Sequence, residues 1–150
     1  MSRKASLYAF TSSIQPARRA WHRAASVALA GTGLSVSLAS VLLFAHRLGE
    51  GAQQRALAAE LGINPAALVR LLDQGEAAGL LMRCDLPGDR RSKLVRLLPP
   101  GQALVAQMEN ALARMRAEIL DGVPVEEIEA ATRLMRLLEE RIADQLGGVA

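Results

Sequence analysis

"GINPAALVRLLDQGEAAGLLMRCDLPGDRRSKLVRLLP", residues 62–99, changes its hydrophobic period part-way along. Its first half reads as a helix with defined ends. Gly62 makes a turn, Asn64 is placed to N-cap, and Pro65 takes the first helical position, where its missing N–H costs nothing. The apolar spacing then carries the helix to about Ala78, and Gly79 closes it. Two short strand-like runs follow, 80–84 and 93–98, on either side of "LPGDRRS". Pro87 presets one turn dihedral and Gly88 accepts a positive φ, so a β-hairpin is the economical reading.

Working outward, "QQRALAAEL" at 53–61 forms a short helix just before the glycine turn. Two helices joined by a tight turn and followed by a hairpin with a charged tip make a winged helix-turn-helix. Gly75 is out of place inside the second helix, where glycine costs about 1 kcal/mol relative to alanine. The sequence offers no cause for it.

Further upstream, "AASVALAGTGLSVSLASVLLFAH" (24–46) carries no charge apart from a terminal histidine and follows the twin arginine of "ARRAWHR". Its length suits a membrane span of about 20 residues. Its first half is too rich in Ala, Ser, Gly and Thr to favour lipid, and Gly-Thr-Gly reads as a stop and a new start. The expectation is two buried helices, 16–30 opened by Pro16 and 36–48 capped by Ser35, with no membrane partner. "LFAHRLG" is also a poor export cleavage site. Residues 1–15 are polar and basic without a clear period, which predicts a flexible N-terminal arm.

Downstream, "PPG" at 99–101 breaks the hairpin and starts a long helix to Leu120, with Leu104, Val105, Met108, Leu112, Met115 and Ile119 along one side. After "DGVP" a last helix, 125–146, carries Val125, Ile128, Leu134, Met135, Leu138, Ile142 and Leu146 as an apolar stripe. Neither long helix fits inside a small winged module, and a second copy of the chain is the simplest cover for them. The fold class expected is mainly α with a small β-hairpin: a winged helix-turn-helix core (52–99) plus long N- and C-terminal dimerisation helices (16–48 and 101–148). Residues 16–150 are read as a single domain.

Composition agrees. The chain of 150 residues is 51% hydrophobic but only 3% aromatic, so its core is built from Leu, Ala, Val and Met, which favours helices. Charge is uneven: residues 1–49 hold six Arg/Lys and no acid, whereas 99–150 hold five Arg against nine Asp/Glu. That asymmetry points to a polyanion on one side and self-association on the other. A lone Cys84 cannot make an intrachain disulfide, and a reducing cytoplasm is the expected location.

No nucleophile–base pair, carboxylate dyad or phosphate-cradling glycine loop is present, and "AGTGLS" follows no strand. No catalytic residue, metal site or cofactor is therefore expected. The wing is where the chemistry concentrates. From Arg83 to Arg96 there are five basic residues, Arg83, Arg90, Arg91, Lys93 and Arg96, against Asp85 and Asp89. A basic hairpin beside a helix-turn-helix suits double-stranded DNA.

The stretch "LAAELGINPAALVRLLDQGEAAGLLMRCDLPGDRRSKLVRLLPPGQAL" resembles the core of the MarR family of bacterial transcription regulators, most specifically in "GDRRSKLVRLLPPG". The resemblance covers roughly residues 16–146. It implies a homodimer, most simply a repressor, on a pseudo-palindromic operator, released when a small molecule enters a pocket between dimer and DNA-binding parts. It places Arg91 in the minor groove, with Asp89 holding that guanidinium, and Arg90 and Lys93 on phosphates. Asn64, Ala66, Ala67 and Arg70 would face the major groove, with Arg70 able to reach a guanine edge. Where the family often has Ser or Thr, Ala66 and Ala67 offer only apolar contact, so groove shape would carry more of the specificity. Gln53, Gln54 and Arg55 open the preceding helix, where free N–H groups favour a phosphate.

The effector implied is a phenolic or other lipophilic acid, or its thioester, in a pocket lined by Trp21, His22 and His46. Cys84 lies in the wing rather than in an N-terminal helix and reads as a packed or half-exposed thiol. An alternative keeps the fold but not the DNA: a winged-helix protein-interaction module, which the alanines of the recognition helix would suit.

Overall fold

The structure is a computed structural model that describes residues 1–147; residues 148–150, the end of the expected single domain and of its 101–148 helical range, lie outside them. The chain runs α1 (Arg3–Ala30), α2 (Val36–Leu48), α3 (Gln54–Leu61), α4 (Pro65–Ala77), β1 (Leu81–Leu86), β2 (Asp89–Leu97), α5 (Pro99–Ile119) and α6 (Val125–Gly147). Two compact units emerge, Met1–Met115 and the remainder from Arg116, where the sequence reading takes 16–150 as one domain.

The first unit holds the core. α2 gives it Leu38, Ala39, Val41, Leu42, Leu43 and Ala45, all buried. Leu57 of α3, Leu68 and Leu72 of α4, Leu81 of β1, Val95 of β2 and Val105 and Met108 of α5 close around them. The uncharged stretch thus has two explanations. Residues 36–45 of α2 lack charge because they are enclosed on most sides, whereas α1 buries only Leu29 and leaves Val27 78% exposed. Among the described residues no helix is long and apolar enough to cross a membrane. Ser35 caps α2 as expected, its Oγ accepting from the Leu38 amide at 3.2 Å.

The N-terminal arm is not what the sequence suggests: residues 3–15 are helical and continuous with the rest of α1, and Pro16 lies inside that helix instead of opening it. Local bonds explain the difference. The Ser2 hydroxyl accepts from the Ala5 amide at 3.2 Å as an N-cap. Thr11 donates to the Leu7 carbonyl at 2.9 Å and Ser13 to the Phe10 carbonyl at 2.6 Å. Polar side chains that look disordered in sequence are satisfied here by the helix backbone itself.

Two glycines are explained by contact. A Cβ on Gly75 would sit 2.6 Å from Leu81 Cδ2 and 3.5 Å from Leu38 Cδ1, so α4 packs on β1 and α2 through a bare backbone. On Gly101 a Cβ would stand 2.1 Å from the Leu80 carbonyl oxygen. That carbonyl also accepts from the Leu98 amide at 3.0 Å, which fixes the approach of α5 to the hairpin.

In the second unit, α6 has no buried residue among those described, and Leu134, Met135, Ile142 and Leu146 stand exposed along it.

Candidate nucleic-acid interface

The hairpin is tighter than the sequence suggests. Pro87 and Gly88 alone form the turn, Gly88 with φ 85°, and Asp89–Ser92 belong to β2 rather than to a loop. Register explains why the segment resembles a loop. Asp85 pairs with Lys93, but the next residue, Leu86, pairs with Asp89. Arg90, Arg91 and Ser92 therefore have no partner across the ladder and form a bulge, a device that re-aims side chains away from the sheet.

Asp89 holds that bulge. Its Oδ1 accepts from the Arg91 backbone amide at 2.9 Å and its Oδ2 from the Ser92 hydroxyl at 2.9 Å. The Arg91 amide, followed by the Ser92 hydroxyl, keeps the Asp89 carboxyl below the usual range. This corrects the expected role. Asp89 grips the backbone of Arg91 and not its guanidinium, because a two-residue step brings the amide closer than the side-chain tip. Among the described residues, the Arg91 guanidinium makes no ion pair.

A second strand-like contact ties the wing to the helix-turn-helix. The Val95 amide donates to the Ala52 carbonyl at 2.8 Å, and Gln53 bridges to Leu94. This places the start of α3 against β2. Gln53 occupies the N-cap of α3 without a side-chain capping bond, so its carboxamide is uncommitted there. Gly62, at φ 63° and ψ 34°, turns the chain from α3 into α4. Asn64 then caps α4, its Oδ1 accepting from the Ala66 amide at 2.7 Å.

These elements bound a cleft of about 470 Å³ lined by Gln53, Gln54, Arg55, Asp89, Arg91 and Lys93 of the expected set, together with Pro65 and Ser92. Asn64, Ala66, Ala67 and Arg70 lie exposed along α4 next to it, and Arg90 is exposed on the wing. Among the described residues, Arg55, Arg70, Arg90 and Arg91 make no ion pair. Lys93 does pair, with Asp85 across the hairpin. The uncommitted guanidiniums of Arg55 and Arg91 in the cleft walls are a counter-charge for phosphates.

Arg83 stands apart from the other wing cations. Its Nη2 lies 2.8 Å from Glu76 Oε2, its Nε donates to Glu76 Oε1 at 3.1 Å, and Nη2 also meets Asp73. Its backbone amide donates to the same Glu76 Oε1 at 2.8 Å. These bonds raise the Arg83 pKa and lower that of Glu76, in each case chiefly through the side-chain hydrogen bond between them. Arg83 is thus a brace between the recognition helix and the wing. Sequence reasoning missed it and counted it as one more wing cation. It also missed Ser92, which the Asp-x-x-Ser spacing at 89–92 marks as a turn partner.

The expected effector residues are not brought together. Trp21 is exposed on α1, His22 lies in a shallow basic depression with Arg18, Arg19 and Arg23, and His46 lines a separate cavity.

Residues 32–92 match the MarR family. The solved structure of the transcriptional regulator PA3341 is similar over 90% of this chain and 98% of its own, at 30% identity and a TM-score of 0.82. That of CouR from Rhodococcus jostii RHA1, bound to p-coumaroyl-CoA, is similar over 80% of each chain at 31% identity and a TM-score of 0.62. Apo MarR from E. coli shares the fold, with 20% identity, a TM-score of 0.70, and coverage of 85% of this chain and 95% of that one. With a regulator at 30% identity along nearly its whole length and the family's own signature over the helix-turn-helix and wing, the chain belongs to the MarR family of winged-helix transcription regulators.

Proposed function

We propose that the protein is a regulator and not a catalyst: a homodimeric, sequence-specific DNA-binding repressor of the cytoplasm, acting on a pseudo-palindromic operator and released by a small-molecule effector. The observation that carries this reading is the cleft joining the start of α3 to the bulged wing, with Arg55 and Arg91 in its walls. α3 would set its N-terminus on phosphates, α4 would lie in the major groove, and Arg91 would enter the minor groove. Exposed α6 and, on α1, the exposed Leu7, Tyr8 and Trp21 supply apolar surface for the second copy. CouR, bound to p-coumaroyl-CoA, supports an aromatic acid or its thioester as the effector class.

Ala66, Ala67 and Val69 leave the exposed face of α4 with little to read base edges, which favours a second reading, a protein-interaction module. Salt separates the two. In a gel-shift or anisotropy titration on DNA flanking the chain's own gene, log affinity should fall with log salt by about 0.9 per phosphate neutralised. A flat response would favour the interaction module and end the DNA reading.

A further inference from the structure

The first two turns of α4 carry few groups able to read a base. Pro65, Ala66, Ala67, Val69 and Arg70 are exposed there, whereas Leu68 is buried in the core. A recognition helix presents such N-terminal residues to base edges. Asn64, just ahead of them, is committed as the cap, its Oδ1 accepting from the Ala66 amide at 2.7 Å. An asparagine needs that oxygen together with its amino group to hold an adenine edge. Asp73 is committed as well, to the Arg83 guanidinium, although a free carboxylate could accept from a cytosine amino group. Gln74 is exposed but lies a full turn beyond Arg70.

Arg70 is what remains. It makes no ion pair among the described residues. A guanidinium only donates, which matches the paired O6 and N7 acceptors of guanine. Around it stand apolar groups alone: Ala66 one turn earlier on the same side, Ala67 three residues earlier, and Val69 beside it, 36% exposed. The one apolar feature that the major groove offers such groups is the C5 methyl of a pyrimidine.

The structure assigns to α4 a two-part code: a guanine read by Arg70 and, directly on its 5′ side, a pyrimidine recognised by its C5 methyl, whether thymine or 5-methylcytosine. This rests on the DNA-binding reading above and names the step within each half-site. Edge-on to guanine, the guanidinium turns its flat face to the methyl of the preceding pyrimidine, and Ala66 and Val69 cover that methyl from the helix side. No uncommitted side chain in these two turns reads the base opposite the pyrimidine. A T·A pair and a 5-methylcytosine·G pair are therefore equivalent at this position, and an unmethylated C·G pair is not. Cytosine methylation at such a step creates a site for this protein.

Synthetic duplexes test the code on the full chain without altering the protein. Half-sites are defined by footprinting DNA flanking the chain's own gene and by selection from a randomised duplex pool, then rebuilt with single-position changes. Deoxyuridine for thymidine removes only the methyl; made at the assigned step of both half-sites, it should weaken binding about tenfold, since one buried methyl is worth about fourfold. Cytosine there should bind as weakly as deoxyuridine, and 5-methylcytosine should restore the affinity of thymine. 7-Deazaguanine at the next position removes one acceptor and should weaken the parent by about tenfold, but Arg70→Ala hardly at all. Thymines indifferent to loss of the methyl, methyl-sensitive thymines none of which precedes a guanine, failure of 5-methylcytosine to restore binding, or an undiminished 7-deazaguanine effect in Arg70→Ala would overturn the code. Salt-dependent binding that ignores every one of these changes removes the code and leaves the DNA reading in place. Failure to bind any duplex, including the selected pool, removes the DNA reading and the code with it.

Discussion

Arg83 of β1 and Glu76 of α4 are joined three times over: Nη2 to Oε2 at 2.8 Å, Nε to Oε1 at 3.1 Å, and the Arg83 backbone amide to Oε1 at 2.8 Å. The recognition helix and the first strand of the wing are thereby held in one orientation, although DNA would meet them at different grooves. Arg83→Met keeps the aliphatic stem and removes the fork. It leaves Glu76 and Asp73 near each other with only the backbone amide as donor. A loss of about 1–2 kcal/mol is expected, after allowing for partial exposure. Urea denaturation would read it, and operator affinity should fall although no DNA contact is removed. An unchanged midpoint would show that the brace is ornamental.

The same pair sets an acid limit. The Glu76 carboxyl is held below its usual range by the Arg83 hydrogen bond, so its folded pKa lies under its unfolded one. Its contribution is complete above the unfolded value, about 4.3, and disappears as pH falls through the lower folded value. Because the side chain is about a third exposed, less than about 1 kcal/mol is at stake. Stability of the parent should drop across this acid window more steeply than that of Glu76→Gln. Parallel curves would remove Glu76 from the account.

Gly75 and Gly101 make unequal demands on an alanine scan. At Gly75 the new methyl meets Leu81 Cδ2, the end of a buried side chain, while the helix gains up to about 1 kcal/mol in propensity. At Gly101 it meets the Leu80 carbonyl, a backbone atom already engaged by Leu98. Overpacking costs about 1–3 kcal/mol, so Gly75→Ala should be mildly destabilising and Gly101→Ala clearly worse. Thermal melts that rank them the other way would contradict the packing described here.

How much of this is legible in the sequence depends on the range of the interaction. Caps and turns are local: Ser35, Asn64, Gly62 and Pro87-Gly88 all act where the spacing places them, because each needs only its near neighbours. The wing cations are legible as a group for the same reason. What is not legible depends on residues that only the fold brings together. Gly75 makes sense once Leu81 and Leu38 are packed on it, and Arg83 once α4 and β1 are packed together. The helical start of α1 is missed because its hydroxyls bond backwards to carbonyls, which no apolar period records. His46 and Trp21 are both near the first helices in sequence, yet Trp21 does not line the cavity that His46 borders.

Ile128, Met135 and Ile142 recur every seven residues on α6, and none of them is buried in the single chain. Burying such a stripe against a second copy removes apolar surface worth about 25 cal/mol per Å². Met135→Glu together with Ile142→Glu places charges in that seam. Sedimentation velocity should then find a monomer, and operator affinity should collapse because two half-sites are no longer engaged together. A double variant that still sediments as a dimer would move the interface off α6.

Arg91 and Asp89 give the sharpest test of the wing, because they act on DNA in different ways. Arg91→Ala removes a guanidinium from the cleft and should weaken operator binding by about 1–3 kcal/mol, with dimerisation intact. Its salt slope should also become shallower by about one counterion's worth. Asp89→Ala removes a carboxylate, which on charge alone would strengthen binding to a polyanion. Its oxygens, however, hold the Arg91 amide and the Ser92 hydroxyl, and with them the bulge that aims Arg91. Asp89→Ala should therefore weaken binding, by less than Arg91→Ala, while leaving the salt slope near the parental value. Once Arg91 is alanine, removing Asp89 as well should cost little more, since the bulge then has nothing to aim. If Asp89→Ala instead binds the operator more tightly than the parent, the carboxylate acts only as a charge, and the bulge does not set the reach of Arg91.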